Sequence, residues 1–164
     1  MSKHKITPFL WFDKEAEEAA RYYTGIFDNS KIGQVTRYGN AGQEIHKQKP
    51  GTAMTVDFEL EGQQFTALNA GPVFKFNEAV SFVIACKDQA EVDYFWEKLG
   101  AGGDPNAQQC GWLKDKFGLS WQVVPTILNE LMSSPDRAKA DRVMTAMLKM
   151  KKIDLAELEK AAQG

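Results

Sequence analysis

The sequence has few of the side chains that bind transition metals or form disulfides, with two histidines and two cysteines among 164 residues. His4 lies near the N-terminus and His46 in a polar stretch, and neither has a second His, Cys or carboxylate at a ligand spacing. Cys86 and Cys110 could form a bridge, but without an export signal we expect a reducing compartment and two free thiols. We therefore expect no metal and no other cofactor.

Long apolar runs and an excess of one charge are missing as well. No stretch approaches the roughly 18 apolar residues of a membrane span, and residues 1–5 do not begin a secretory signal. The 20 basic and 22 acidic side chains give a net charge of −2, which provides no attraction to nucleic acid or anionic membranes. We expect a cytoplasmic protein whose partners are small molecules or a second copy of itself, with no nucleic acid and no membrane.

What the sequence does contain is typical of one folded domain over 1–164, with 43% hydrophobic residues. In the first half, apolar periodicity predicts a strand, a helix and three further strands. Their ranges are 6–12, 14–27, 33–38, 52–60 and 63–69. Asp13 is the predicted N-cap of the helix, and Glu61 with Gly62 forms the two-residue turn of a hairpin.

The same pattern begins again in the second half. A strand over 79–86 precedes Asp88, which has the spacing of a capping box with Glu91 and opens a helix over 89–99. Two strands follow, over 111–116 and 119–124. This recurrence is compatible with a duplicated βαβββ module, although periodicity alone predicts only a mixed α+β domain.

Beyond Pro125 the sequence predicts a helical tail over 126–164. The helices span 126–132, a run from Ser134 to about 150, and 155–162 after Asp154. A small sheet cannot fully cover their apolar side chains, so we expect an association surface and a homodimer. These side chains are Leu128, Leu131, Val143, Met147 and Leu148.

Four segments carry a resemblance to a known family: NAGP at 69–72, FKFNEAVSF at 74–82, DQAEVDYFW at 88–96 and CGWLKDKFGLSWQVV at 110–124. They resemble the PhnB-like branch of the vicinal oxygen chelate (glyoxalase/bleomycin resistance/dioxygenase) superfamily, often labelled demethylubiquinone 3-methyltransferase-like. The resemblance implies an α+β fold of paired βαβββ modules with a C-terminal helical tail. The modules would span 6–69 and 80–124, enclose a cavity and commonly belong to a homodimer.

The resemblance also gives the positions at which metal-dependent members bind their ion. In this chain those positions are Ile6, Ser81, Asn69 and Gln122, and only Gln122 carries a suitable group. No metal site is therefore expected. The methyltransferase label has no support from a nucleotide-binding motif, because the glycine cluster at 100–103 follows a helix rather than a strand.

Aromatic and amide side chains are the strongest candidates for a ligand pocket. Trp112 and Trp121 flank a tight turn next to Gln122, and Trp11 lies on the first strand; core packing is an equally good explanation for each tryptophan. Strand alternation places Trp121 and Gln122 on opposite faces. We expect Gln122 to face the cavity and Trp121 to pack behind it.

Polar candidates are weaker. Asn69 is a pocket candidate or a turn cap, and Glu78 is a pocket carboxylate or a surface charge. Asp57 lies two residues from Glu59 on one strand face, a spacing that suits acid–base catalysis but is more often a solvated face. Cys110 has no histidine to serve as its base, so a structural role is favoured over a nucleophilic one.

Two functions stay open from the sequence. The first is a metal-independent binding protein that holds a small, partly aromatic organic ligand. The second is a metal-dependent lyase, isomerase or dioxygenase-like enzyme of the same superfamily. Scarce histidine favours the first, and no catalytic residue is predicted.

Overall fold

The computed structural model describes residues 5–164, so the prediction for His4 lies outside the described residues. The chain divides into two compact units between Lys75 and Phe76. Each unit contains one small β-sheet, of four strands in the first and three in the second, and the second also contains the helical tail. The predicted α+β fold with a C-terminal helical part is therefore confirmed.

The first unit forms a strand, a helix, a strand, a one-turn helix and a hairpin. These elements are β1 (Phe9–Phe12), α1 (Ala16–Thr24), β2 (Lys31–Arg37), α2 (Gln43–His46), β3 (Ala53–Leu60) and β4 (Gln63–Asn69). The sheet order is β1-β4-β3-β2, with β1 parallel to β4 and the other pairs antiparallel. The predicted hairpin is present, and Glu61 and Gly62 have the positive φ values, 48° and 82°, of a two-residue turn.

One face of this sheet is covered, because α1 packs against β3 and β4. Side chains alternate along each strand, so every second residue points towards the helix. The buried members of this face include Leu10, Phe12, Val56, Phe58, Phe65 and Ala67. The residues between them, such as Phe9 and Trp11 on β1, belong to the opposite face, where Phe9 is exposed.

The start of α1 differs from the prediction. Asp13 is not its N-cap; the helix begins at Ala16, and the flanking Glu15 makes no side-chain cap bond. Instead, Oδ1 of Asn69, at the end of β4, accepts the Ala16 N–H at 2.8 Å. A helix end needs partners for its free N–H groups, and here a residue distant in sequence provides one.

The second unit begins with β5 (Phe82–Cys86), α3 (Gln89–Gly100), a 3₁₀ turn (Pro105–Ala107), β6 (Trp112–Lys114) and β7 (Ser120–Pro125). Its sheet order is β5-β7-β6, with β5 parallel to β7. This part of the described chain has one strand fewer than the expected βαβββ, because a 3₁₀ turn follows α3 where the first unit has β2. The predicted Asp88 cap is present, accepting the Glu91 N–H at 2.9 Å.

This second sheet also has one covered face, with α3 packed against it. Ile84, Leu113, Trp121 and Val123 lie on the covered face and are buried. The residues between them in sequence lie on the other face, and we call this surface the open face of the second sheet. It carries Val83, Ala85, Trp112, Lys114, Gln122 and Val124, which are exposed or half-buried, and Ser120, which is buried.

The tail forms three helices, α4 (Thr126–Met132), α5 (Arg137–Met147) and α6 (Leu155–Gln163). Asp136, not Ser134, caps α5 by accepting the Lys139 N–H at 3.1 Å. The apolar side chains of these helices pack against each other, which corrects the expectation that they remain exposed. Leu128, Leu131, Val143, Ile153 and Leu158 form this buried cluster, Met147 packs against it, and only Leu148 of the predicted patch is largely exposed. The tail therefore no longer argues for a homodimer.

Among residues 5–164, no helix combines the length and the apolar character that crossing a lipid bilayer requires.

Candidate functional site

The candidate site is centred on Gln122, in the middle of the open face of the second sheet. Trp112 on β6 and Val83 on β5 are its direct neighbours in register, one on each side. The Gln122 Nε2 donates a hydrogen bond to Ser81 Oγ at 2.9 Å, which holds the amide in place. A fixed polar group between an indole and an aliphatic side chain is the arrangement that orients small organic ligands.

The surroundings of Gln122 are apolar and accessible. Val83 is 62% exposed and Ala85 is exposed, whereas Val124 is half-buried and packs against the buried cluster of the tail. An exposed valine next to an aromatic residue forms a surface that gains free energy when an apolar ligand covers it. The geometry thus suits binding more directly than it suits catalysis.

An ion pair lies on the same face, two residues from Trp112 along β6. The Lys114 ammonium contacts the Glu78 carboxylate, and the lysine side chain is 24% exposed whereas that of Glu78 is 64% exposed. The hydrogen bond from Lys114 lowers the pKa of Glu78 below its usual value, so this carboxyl is ionised at neutral pH. Glu78 is therefore both a surface carboxylate and a neighbour of the candidate site.

Trp121 lies on the covered face, as strand alternation requires, and is 3% exposed. Its Nε1 donates to the Asp115 Oδ2 at 2.9 Å, and Asp115 is itself buried. The other carboxylate oxygen accepts the N–H groups of Phe117 and Leu119, at 2.9 and 3.1 Å. Trp121 is thus part of a turn-stabilising network, and the structure does not bring it to the open face with Gln122.

Trp11 belongs to the first unit, on the face of its sheet that α1 does not cover. Its Nε1 donates to the Gly71 carbonyl at 2.9 Å, and its ring lies edge-on to Phe74 with 4.9 Å between centroids. An aromatic pair is therefore present here. The polar atom of Trp11 already has a partner in the backbone.

Asp57 and Glu59 share one face of β3, but each has partners of its own. Asp57 Oδ1 accepts the Thr66 hydroxyl at 2.7 Å. Glu59 accepts the amide of Gln64 and lies 3.6 Å from the Lys31 ammonium. This is a row of cross-strand polar pairs, which stabilises a sheet surface, and the geometry gives no sign of a shared acid–base role.

Asn69 is a structural residue in this protein. It is 2% exposed, and its amide joins two elements: Oδ1 accepts from Ala16 N, and Nδ2 donates to the Ala53 carbonyl at 3.1 Å. Its own carbonyl accepts the hydroxyl of Tyr38 at 2.5 Å, and burial raises the pKa of that phenol. Asn69 caps α1 rather than the turn that follows β4.

The two cysteines are free thiols. Cys110 is half-buried in a left-handed backbone conformation, with φ 51°, and its N–H donates to the Met150 carbonyl at 2.9 Å. Its sulfur accepts a contact from the Gln109 amide at 3.3 Å. Cys86 is fully buried, and desolvation raises its pKa to about 12. The raised pKa disfavours the thiolate of Cys86, so this cysteine is not an activated nucleophile.

The positions that the resemblance gives for metal ligands do not fit a metal ion. Ile6 is a hydrocarbon and 83% exposed, and both polar atoms of the Asn69 amide are used within the fold. Ser81 and Gln122 are neutral and bonded to each other. Within residues 5–164, no group of three or more His, Cys, Asp or Glu side chains could hold an ion.

The glycine cluster does not fit a methyl donor such as S-adenosylmethionine either. The Gly103 N–H donates to the Gly100 carbonyl at 3.0 Å, at the end of α3. A Cβ on Gly103 would lie 2.0 Å from the Lys114 carbonyl oxygen, so glycine is required there for close packing on β6. The cluster closes a helix and leaves no strand-to-helix cradle for a nucleotide.

Sequence reasoning missed the environment of Ser120. Its hydroxyl is buried and has no hydrogen-bond partner among the described residues. It also missed that Lys114 pairs with Glu78. A signal existed for Ser120, since residues 120, 122 and 124 share one face of a strand; the burial and the ion pair depend on contacts between strands and loops.

Comparison with known proteins gives a consistent picture. Residues 4–124 match the model of the family described as 3-demethylubiquinone-9 3-methyltransferase. The structure of a PhnB protein from Bacillus cereus is 36% identical, covers 74% of this chain and 99% of that chain, and has a TM-score of 0.63. A Pseudomonas aeruginosa protein, 18% identical with 75% and 98% coverage and a TM-score of 0.56, shares the fold. No curated protein matches the chain.

Proposed function

Since the chain belongs to the PhnB-like family described as 3-demethylubiquinone-9 3-methyltransferase, we propose that it binds a small, partly aromatic organic ligand on the open face of its second sheet. Binding needs no metal ion. One observation carries this proposal: the Gln122 amide, fixed by Ser81, lies in register with Trp112 on one side and the exposed Val83 on the other.

Each side chain of this face has a distinct part in binding. The indole of Trp112 packs against an aromatic or apolar portion of the ligand, with Val83 on the other side of Gln122. The bond from Nε2 to Ser81 holds the amide of Gln122, so that it can accept or donate one hydrogen bond in a defined direction. A large apolar contact combined with a few polar groups orients a bound ligand and does not require a catalysed reaction.

The two enzymatic alternatives receive less support from the side chains. A lyase, isomerase or dioxygenase-like reaction at a divalent metal needs ligands that Ile6, Asn69, Ser81 and Gln122 do not supply. Methyl transfer, the activity in the family's description, needs a donor site that the glycines of 100–103 do not form. We therefore favour binding over turnover.

We also propose that the two units are related copies of one module. In each unit a strand is followed by a helix, and the first strand is parallel to the last. A cavity enclosed by the modules, a homodimer and a cytoplasmic location stay predictions from the resemblance and the sequence. Light scattering that gives twice the chain mass of 18.4 kDa would support the dimer, and 18.4 kDa itself would contradict it.

The binding proposal is tested with a neutral aromatic amide, 2-naphthamide, by titration calorimetry. Gln122→Ala should weaken binding by about 1 kcal/mol or more, the usual cost of losing one buried hydrogen bond. Gln34→Ala, an exposed glutamine on β2, is the matched control and should change nothing. Trp121→Phe should lower stability without affecting affinity. If Trp121→Phe abolishes binding and Gln122→Ala leaves the affinity unchanged, the proposal is contradicted.

A further inference from the structure

A buried hydroxyl without a partner lies on the same strand as Gln122. Ser120 is 1% exposed, and its Oγ makes no hydrogen bond to any described residue. Strand alternation places it on the face of β7 that carries Gln122, two residues away. Buried polar groups are nearly always paired, so the Ser120 hydroxyl is a candidate donor to a bound group.

The residue directly opposite Ser120 is a cation. Lys114 on β6 pairs with Ser120 in register, and directly opposed side chains of antiparallel strands have Cβ atoms about 5 Å apart. Lys114 is also mostly buried. The two side chains thus start from neighbouring Cβ atoms, and both can donate hydrogen bonds to an acceptor placed between them.

The acceptor that Lys114 has in this structure is exposed to solvent. Glu78 belongs to the segment before β5, and its side chain is 64% exposed. Its neighbours Asn77 and Ala79 form an exposed turn, with the Ala79 N–H donating to Asn77 Oδ1 at 2.9 Å. An ion pair with one exposed partner contributes little stability, so a competing carboxylate can replace it.

We propose that the ligand is an organic carboxylate, and that its carboxylate group takes the place of Glu78 on Lys114 and accepts the Ser120 hydroxyl. This inference rests on the proposed function, because the remainder of the ligand lies on Trp112 and Gln122. Compared with Glu78, the ligand makes two additional interactions: the hydrogen bond from the Ser120 hydroxyl and the apolar contact with Trp112. Charge-assisted hydrogen bonds of this type are stronger than neutral ones.

The site favours a carboxylate over a more highly charged anion. Removing Glu78 leaves a single positive charge, that of Lys114, opposite one hydroxyl. One planar group with one negative charge satisfies both donors, and Glu78 already shows that a carboxylate fits against the ammonium. A dianion would leave a second charge without a partner in a largely apolar surface.

The test compares two probes of the same size and shape, the anionic 2-naphthoate and the neutral 2-naphthamide, by titration calorimetry. Glu78→Gln removes the internal competitor and should strengthen naphthoate binding about threefold, without affecting the amide. Lys114→Met should weaken naphthoate at least tenfold. Ser120→Ala should weaken naphthoate while leaving the melting temperature unchanged or raised, because it removes an unpaired buried hydroxyl. Lys87→Met, at another paired lysine, is the control.

The outcomes separate the two proposals. If the amide binds and depends on Gln122, but naphthoate is no tighter or Glu78→Gln leaves its affinity unchanged, the carboxylate inference is wrong and the proposed function stands. If naphthoate binding survives Lys114→Met, the inference is wrong as well. If neither probe binds, both proposals fail for aromatic ligands.

Discussion

Replacing Asn69 by alanine tests the assignment of this residue to the fold rather than to a ligand. The buried amide makes two hydrogen bonds, accepting from Ala16 N at 2.8 Å and donating to the Ala53 carbonyl at 3.1 Å. Loss of a helix cap costs about 1 kcal/mol, and a buried carbonyl left without a partner costs about 1–3 kcal/mol. We therefore expect Asn69→Ala to lower the free energy of unfolding by about 3 kcal/mol.

The measurement is urea-induced unfolding monitored by circular dichroism. The dependence of the free energy of unfolding on urea concentration should be the same in the variant and the original protein. At a slope of about 1–3 kcal/mol/M, the midpoint should fall by about 1 M or more. Asn77→Ala is the control, because it removes an exposed turn bond to Ala79 and should cost less than about 0.5 kcal/mol. Unchanged stability combined with lost 2-naphthamide binding would show that Asn69 is a ligand residue, and the cap assignment would be refuted.

Four further predictions concern the fold. Gly103→Ala should cost more than about 2 kcal/mol, because its Cβ would lie 2.0 Å from a carbonyl of β6, whereas Gly39→Ala, with no atom within 4 Å, should be neutral in thermal unfolding. Trp121→Phe should cost about 1–3 kcal/mol by leaving its buried carboxylate partner one donor short. Iodoacetamide at about pH 8 should add one group, at Cys110 and not at Cys86, as mass spectrometry would show. Because the pKa of Cys86 rises from 9.0 to about 12, its stabilising contribution should be complete below pH 9.0 and disappear as the pH approaches 12.

Local sequence patterns predicted the elements whose determinants are local. The hairpin formed because Glu61 and Gly62 supply a two-residue turn between alternating strands, and Asp88 caps α3 from three residues away. The N-terminus of α1 was mispredicted for the opposite reason. Its cap comes from Asn69, 53 residues from Ala16 in sequence, and no local pattern contains that information.

The tail and the second sheet also show that local patterns do not predict contacts between distant residues. Apolar positions on the tail helices were predicted, but not that Val143, Ile153 and Leu158 bury one another. In the second unit the segment after α3 forms a 3₁₀ turn at Pro105–Ala107, where proline and short polar residues oppose strand pairing. The local patterns predicted the three strands that form β5, β6 and β7, and only the βαβββ module implied by the resemblance has one strand more.

For the site, strand alternation predicted which face each residue lies on, but it did not predict which side chains contact each other. The period of two separates Trp121 from Gln122, which the structure places on the covered and the open face. The contact of Glu78 with Lys114 and the burial of Ser120 depend on how a loop and a neighbouring strand meet β7. Contacts of this kind follow from the assembled sheet, and a single sequence does not encode them in any local pattern.

The most direct test of the central claim is a two-dimensional ¹H–¹⁵N spectrum of the protein, stripped of metal with EDTA and titrated with 2-naphthoate. The account predicts saturable shifts of the Trp112 indole and Gln122 side-chain amide signals, and of backbone signals of β5, β6 and β7. The indole of Trp121 should move little, because it is buried on the covered face. Shifts confined to the sheet of the first unit, or shifts that appear only after a divalent metal is added, would contradict it.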